Sequence, residues 1–117
     1  MSAETIIIAY LSGELASFGI PVSGDVPTPR PERFVTVEKT GSSEKDRITQ
    51  ATLAIQSWGK SRAEADSLNE QVKALLSRAV TRPDIMRCHL QTDYNYTDTT
   101  TNRARYQAVY NVVYCSA

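Results

Sequence analysis

Apolar residues recur at Ile7, Leu11, Leu15 and Phe18, with Ala3 and Tyr10 extending the same stripe, while Glu4, Ser12, Glu14 and Ser17 fall off it. That period predicts a helix over residues 3–18. Ser2 suits its N-cap, and Gly19 followed by Pro21 suits its end. A different pattern begins at Arg33. Phe34, Thr36 and Glu38 alternate with Val35, Val37 and Lys39, which predicts a strand over residues 33–40, followed by "TGSSEKDR" as a loop. Alternation resumes from Ile48 to Trp58, with Ala51, Leu53 and Ile55 on the core face and Gln50, Thr52, Ala54 and Gln56 on the other.

Gly59 closes that strand, and "SRAE" at 61–64 matches a capping box, with Ser61 accepting from the amide of Glu64. Ala65, Leu68, Val72, Leu75, Leu76 and Ala79 form the stripe of a second helix, which should stop before Pro83. Two further strands are predicted over 85–92 and 105–115, joined by a polar loop at 93–104. In the last strand Tyr106, Ala108, Tyr110, Val112 and Tyr114 form one side and Val109 and Val113 the other, as expected of a central strand or of one covered again on assembly. A hairpin symmetric about Thr101 and Asn102 would set Cys88 opposite Cys115 and His89 opposite Tyr114; a bulge would undo that register.

Between the first helix and the first long strand lie Pro21, Pro27, Pro29 and Pro31. Proline fixes φ and removes a donor, so residues 22–32 should run as an extended arm, with at most a short edge strand near Val22. The expected fold is therefore α+β: one domain over residues 1–117, in the order α-(arm)-β-β-α-β-β. A mostly antiparallel sheet should carry two helices packed on it.

Composition adds exclusions. The 117 residues, 41% hydrophobic and 22% charged, suit one globular domain with its own core. Thirteen basic and thirteen acidic side chains cancel, so no global field drives binding to DNA or anionic membranes. Arg30, Arg33, Lys39, Lys45 and Arg47 interleave with Glu32, Glu38, Glu44 and Asp46, which reads as a mixed-charge solvated surface. The apolar run "IIIAYL" is too short for a membrane span, and the residues around it are not those of a signal peptide. A reducing cytoplasm is then the default place of synthesis, with Cys88 and Cys115 as free thiols.

No reaction is spelled out. The single histidine, His89, adjoins Cys88, but neighbours on a strand point to opposite faces and cannot form a dyad. Asp93 and Asp98 fall in the predicted polar loop, five glycines form no phosphate loop, and no metal constellation is available. No catalytic residue, cofactor or metal is expected, and an enzyme is disfavoured. Trp58, at the end of a core strand, reads as a packing anchor.

Taken in order, "VPTPRPERFVTVEKTGS", "ATLAIQSWGKSRAEADSLNEQVKALL" and "RYQAVYNVVY" resemble the tail terminator or tail completion proteins of long-tailed bacteriophages and prophages. The resemblance spans residues 3–114. It rests on a "P…RPxRFVxVxRxGG"-like segment, a strand running into Trp58 and a helix start at "S…EA", and a closing "RYQA"-type strand at Arg105–Ala108. Where that family often has a basic residue and paired glycines, this chain has Lys39, Thr40, Gly41, Ser42 and Ser43, implying a longer or less sharp loop.

The resemblance implies a structural virion protein, assembled in the bacterial cytoplasm. It would form a homohexameric ring at the end of the tail tube, stop tube polymerisation and offer a surface to the head connector or stopper protein. DNA would only pass through the lumen, and no membrane is involved. A different head–tail adaptor or minor tail protein of the neck is the alternative, followed by a small stand-alone binding module using the Tyr-rich hairpin. Contact residues expected on this reading are Arg30, Arg33, Phe34 and Val35 around the arm, and Lys39, Ser43, Lys45 and Arg47 in and beside the loop.

Overall fold

The computed structural model describes residues 2–81 and 85–115. The first helix, α1 (Ala3–Leu15), starts where Ser2 Oγ accepts from the Thr5 amide at 3.2 Å. Its last turn tightens to a 3₁₀ segment, Ala16–Phe18, that ends on Gly19 at φ 68°, a left-handed conformation suited to glycine. Ala3, Ile6, Ile7, Tyr10, Leu11 and Leu15 are buried. Phe18 departs from its predicted place on this stripe: the tighter turn rotates it outward, and it is 57% exposed.

Five strands form one sheet: β1 (Val22–Ser23), β2 (Phe34–Lys45), β3 (Ile48–Gly59), β4 (Ile85–Asn95) and β5 (Ala104–Cys115), in the order β1-β2-β3-β5-β4. The short β1 runs parallel to β2 at one edge, and the other pairings are antiparallel. β5 lies between β3 and β4, with Ala108, Tyr110, Val112 and Tyr114 buried and the alternate residues Arg105, Gln107, Val109, Asn111 and Val113 half-buried on the other face. α1 and the second helix, α2 (Arg62–Leu76), cover one face. There Val35, Val37, Ala51, Leu53, Ile55, Ala108, Tyr110 and Val112 meet Ile7, Leu11, Leu68 and Val72 in a single core.

Ser61 Oγ accepts from the Glu64 amide at 3.2 Å and starts α2. Directly before it, a Cβ on Gly59 would lie 2.7 Å from the Ala65 nitrogen and 2.8 Å from Glu64 Cβ, so glycine lets the helix begin against the end of the strand. α2 ends at Leu76, and a 3₁₀ turn, Ala79–Thr81, follows; the predicted stop at Pro83 lies outside the described residues. Tyr10 donates to the Leu75 carbonyl at 2.6 Å, joining the helices. The buried Asn69 and the flanking Lys73 both donate to Asp93 Oδ2, at 2.8 and 3.0 Å, joining α2 to β4. Among the described residues, no helix is long and apolar enough to cross a membrane.

Two expectations are corrected. Residues 41–47 are not a loop: β2 continues to Lys45, and the turn is Asp46–Arg47 alone, with φ 54° and 67°. Two successive positive φ values make the primed turn whose twist matches that of paired strands. A register irregularity between Lys39 and Gly41 absorbs Thr40, whose hydroxyl donates to the Thr52 carbonyl at 3.3 Å. The last hairpin is not symmetric as expected either. Irregularities between Ile85 and Arg87 and between Leu90 and Thr92 place Cys88 opposite Val112 and His89 opposite Asn111, and β4 extends to Asn95. Both cysteines are free, and burial pushes the Cys88 thiol up to about 11, which leaves it an inert core group.

Candidate functional site

The face of the sheet turned away from the helices shows two contrasting ends. At one end Phe34 and Trp58, directly opposite each other on β2 and β3, stack with ring centroids 5.1 Å apart and planes 13° from parallel. The proline-rich arm and the β4–β5 loop close over them. Arg30 sits over the Trp58 ring at 5.6 Å, Arg103 over Phe34 at 6.0 Å, and Arg105 lies 4.8 Å from Trp58 and 4.4 Å from Tyr96. Each such contact contributes about 0.5–1 kcal/mol at a partly exposed site.

Hydrogen bonds fix this arrangement. Arg103 donates to the carbonyls of Pro31 and Glu32 at 2.5 and 3.0 Å, and Arg105 to that of Tyr96 at 2.6 Å. Arg30 reaches Thr101 Oγ1 at 3.5 Å, and Lys60 pairs with Glu32 at 3.2 Å. Inside the loop the Thr101 hydroxyl holds the Asp98 carboxyl below its ordinary pKa, helped by the amides of Thr100 and Thr101 and by the charge of Arg105. The arm is thus tied down on its own protomer.

From Trp58 a chain of side-chain hydrogen bonds crosses the open face. Trp58 Nε1 donates to Thr36 Oγ1 (3.2 Å), Thr36 to Gln56 Oε1 (3.2 Å), Gln56 to Gln107 Oε1 (2.8 Å), and Gln107 to the Tyr94 hydroxyl (2.5 Å). It spans β2, β3, β5 and β4. Such a ladder satisfies the amides without charge and keeps the face flat.

At the other end β2 runs on as the exposed outer strand of the sheet, while β3 beside it stays paired to β5 as far as the Ile48–Cys115 pair. Every residue from Glu38 to Ile48 is exposed, including the apolar Ile48. Ser43, Lys45, Asp46, Ile48, Gln50 and Val113 line a shallow depression beside the β2–β3 turn.

The residues expected at contacts therefore separate into three groups. Arg30 and Arg33 are exposed at the arm end, and Lys39, Ser43, Lys45 and Arg47 are exposed on the hairpin. Phe34 and Val35 are wholly buried, one beneath the arm and the other beneath the helices, so their side chains build the fold and have no surface to offer a neighbour. Of the residues central to the cluster, Arg103 and Tyr96 were not singled out in the sequence, and Arg105 entered only as the start of "RYQA", not as a contact residue. Strand alternation carried the signal: Arg103 and Arg105 are two residues apart and so share one face.

His89 is exposed on β4, and the described residues contain no cluster of three or more His, Cys, Asp or Glu able to hold a metal ion. No family model matches the chain, and no curated protein is significantly similar to it in sequence.

Proposed function

We propose that the protein is a structural virion component of the tail-terminator type, a homohexameric ring that caps the tail tube, ends its polymerisation and presents a docking surface to the head connector. The observation that supports this best is the hairpin. From Thr40 to Lys45 β2 runs on for about 20 Å at ordinary strand rise as an exposed outer strand, paired to β3 alone. An exposed sheet edge of this kind suits a neighbour. Rings need heterologous contacts, in which one patch meets a different patch on the next copy, and the hairpin and the body offer two different surfaces. The order of elements agrees with the resemblance noted in the sequence. The role asks for no catalytic group or cofactor.

Light scattering after size exclusion, on the protein alone and with purified tail tubes, tests this reading. Ring-sized particles, or a monomer that assembles only on tube ends and halts their growth, are expected. A protein that stays monomeric and leaves tube length unchanged would refute it. Rings that bind the connector and ignore tubes would instead assign the protein to the adaptors of the neck.

A further inference from the structure

The charges cancel in the sequence but not in space. On the strands of the open face, register places Lys45 on β2, Arg105 on β5 and Arg87 on β4, with Arg30 and Arg103 laid over its arm end. Glu38 is the single carboxylate among the described strand residues of that face. Glu14, Asp66 and Glu70 lie exposed on the helical side. Arg105 shares the arm end with the Asp98 carboxylate, whose ionised form its charge favours, while Lys60 holds Glu32 and Lys73 holds Glu70 and Asp93, away from Arg30, Arg87 and Arg103.

We infer that this open face is a contact surface for the phosphate backbone of duplex DNA. From Arg105 to the level of Arg87, opposite Val113, β5 rises eight residues, about 27 Å, which matches about eight base-pair steps. Cations stand at both ends of this track, and between them lie Gln50, Gln56, Gln107 and Asn111, neutral donors of the type that contact phosphate and sugar without reading sequence. An acidic protein partner would be better served by an apolar pocket at the centre of the patch; here the centre is a flat, internally bonded amide ladder. Within the ring proposed above this face would turn to the bore. That placement rests on the ring reading, whereas the DNA contact itself does not.

Fluorescence anisotropy with a labelled 20-base-pair duplex, at 50 and 200 mM salt, tests the inference. Three phosphate contacts per protomer predict an affinity about 40-fold weaker at the higher salt. Arg87→Glu and Arg30→Glu, both at exposed positions, should each weaken binding about tenfold at 50 mM and reduce the salt slope by about one. Arg62→Glu, on the helical side, should change neither. No duplex binding at 50 mM salt, or equal binding by Arg87→Glu, Arg30→Glu and the unmodified protein, would overturn the inference. So would a protein that binds no DNA yet loses tube attachment through Arg87→Glu, which would mark the face as a dock for an acidic protein. Capping without DNA binding sinks this inference and leaves the ring reading standing; DNA binding without capping does the reverse.

Discussion

The near and far halves of the β2–β3 pair share one backbone ladder and differ in almost everything else. In the near half Phe34, Val35, Thr36 and Val37 face Trp58, Ser57, Gln56 and Ile55, with helices beneath and the arm above. In the far half Ser42, Ser43, Glu44 and Lys45 face Ala51, Gln50, Thr49 and Ile48, and the whole β2 side is exposed. Backbone hydrogen bonds alone leave an isolated hairpin marginal in water. The far half is kept extended by β3, which stays paired to β5 as far as the Ile48–Cys115 pair. Phe34 to Val37 of β2 are buried at one end, and Glu38 to Lys45 are left exposed at the other.

Substitutions can break or sharpen this contrast. The largest effect is expected from Leu53→Asp, which places a carboxylate in the core and should abolish the folded state; a retained cooperative thermal transition by circular dichroism would show that the buried face has been misassigned. Trp58→Ala comes next, removing the platform beneath two arginines at a cost of about 3–5 kcal/mol, readable as a lower urea midpoint. A loss under 1 kcal/mol would mean that the arm is not clamped there. At the hairpin tip, Arg47→Gly relieves a left-handed residue and should raise stability by about 1 kcal/mol; a lower melting temperature would contradict the turn geometry.

The Lys73–Asp93 pair gives a smaller, pH-dependent effect. Its side chains are only 22% and 26% exposed, and the hydrogen bond to Asp93 raises the Lys73 pKa above its ordinary 10.5. A raised folded pKa means that the pair's contribution, about 1 kcal/mol or less, is whole at neutral pH and is lost as pH climbs above that ordinary value. Lys73→Met should therefore narrow its stability deficit between pH 9 and 11.5 in melting curves, and a deficit independent of pH would count against the pair. Ile48→Ser, on the far half, should alter stability by less than about 0.5 kcal/mol, and a larger loss would show that this half supports the fold after all.

Much of the near half was legible in the sequence because it obeys simple periods. Alternation marked the core faces of β3 and β5, and the capping box at Ser61 marked the start of α2. On the far half β3 was read from Ile48, but the β2 side was not legible, since the turn uses Asp46 and Arg47 in place of an Asn-Gly type pair, and Glu38 to Lys45 lack the apolar alternation that marks a buried face. The register of the last hairpin depends on two bulges, which local residue chemistry does not announce. The arginine cluster escaped for a further reason: Arg30, Arg103 and Arg105 meet over Trp58 and Phe34 only after the arm folds back. A sequence that interleaves Arg30 and Arg33 with Glu32 looks neutral until Glu32 turns away to Lys60.

The most direct test of the assembly account is hydrogen exchange by mass spectrometry on the free protein and on the protein bound to tail tubes. The account predicts that peptides covering 40–48 exchange quickly in the free protein and become strongly protected on the tube, while the Phe34–Val37 and Ile55–Trp58 segments are slow in both states. Unchanged exchange across 40–48 on tubes that are demonstrably capped would contradict it.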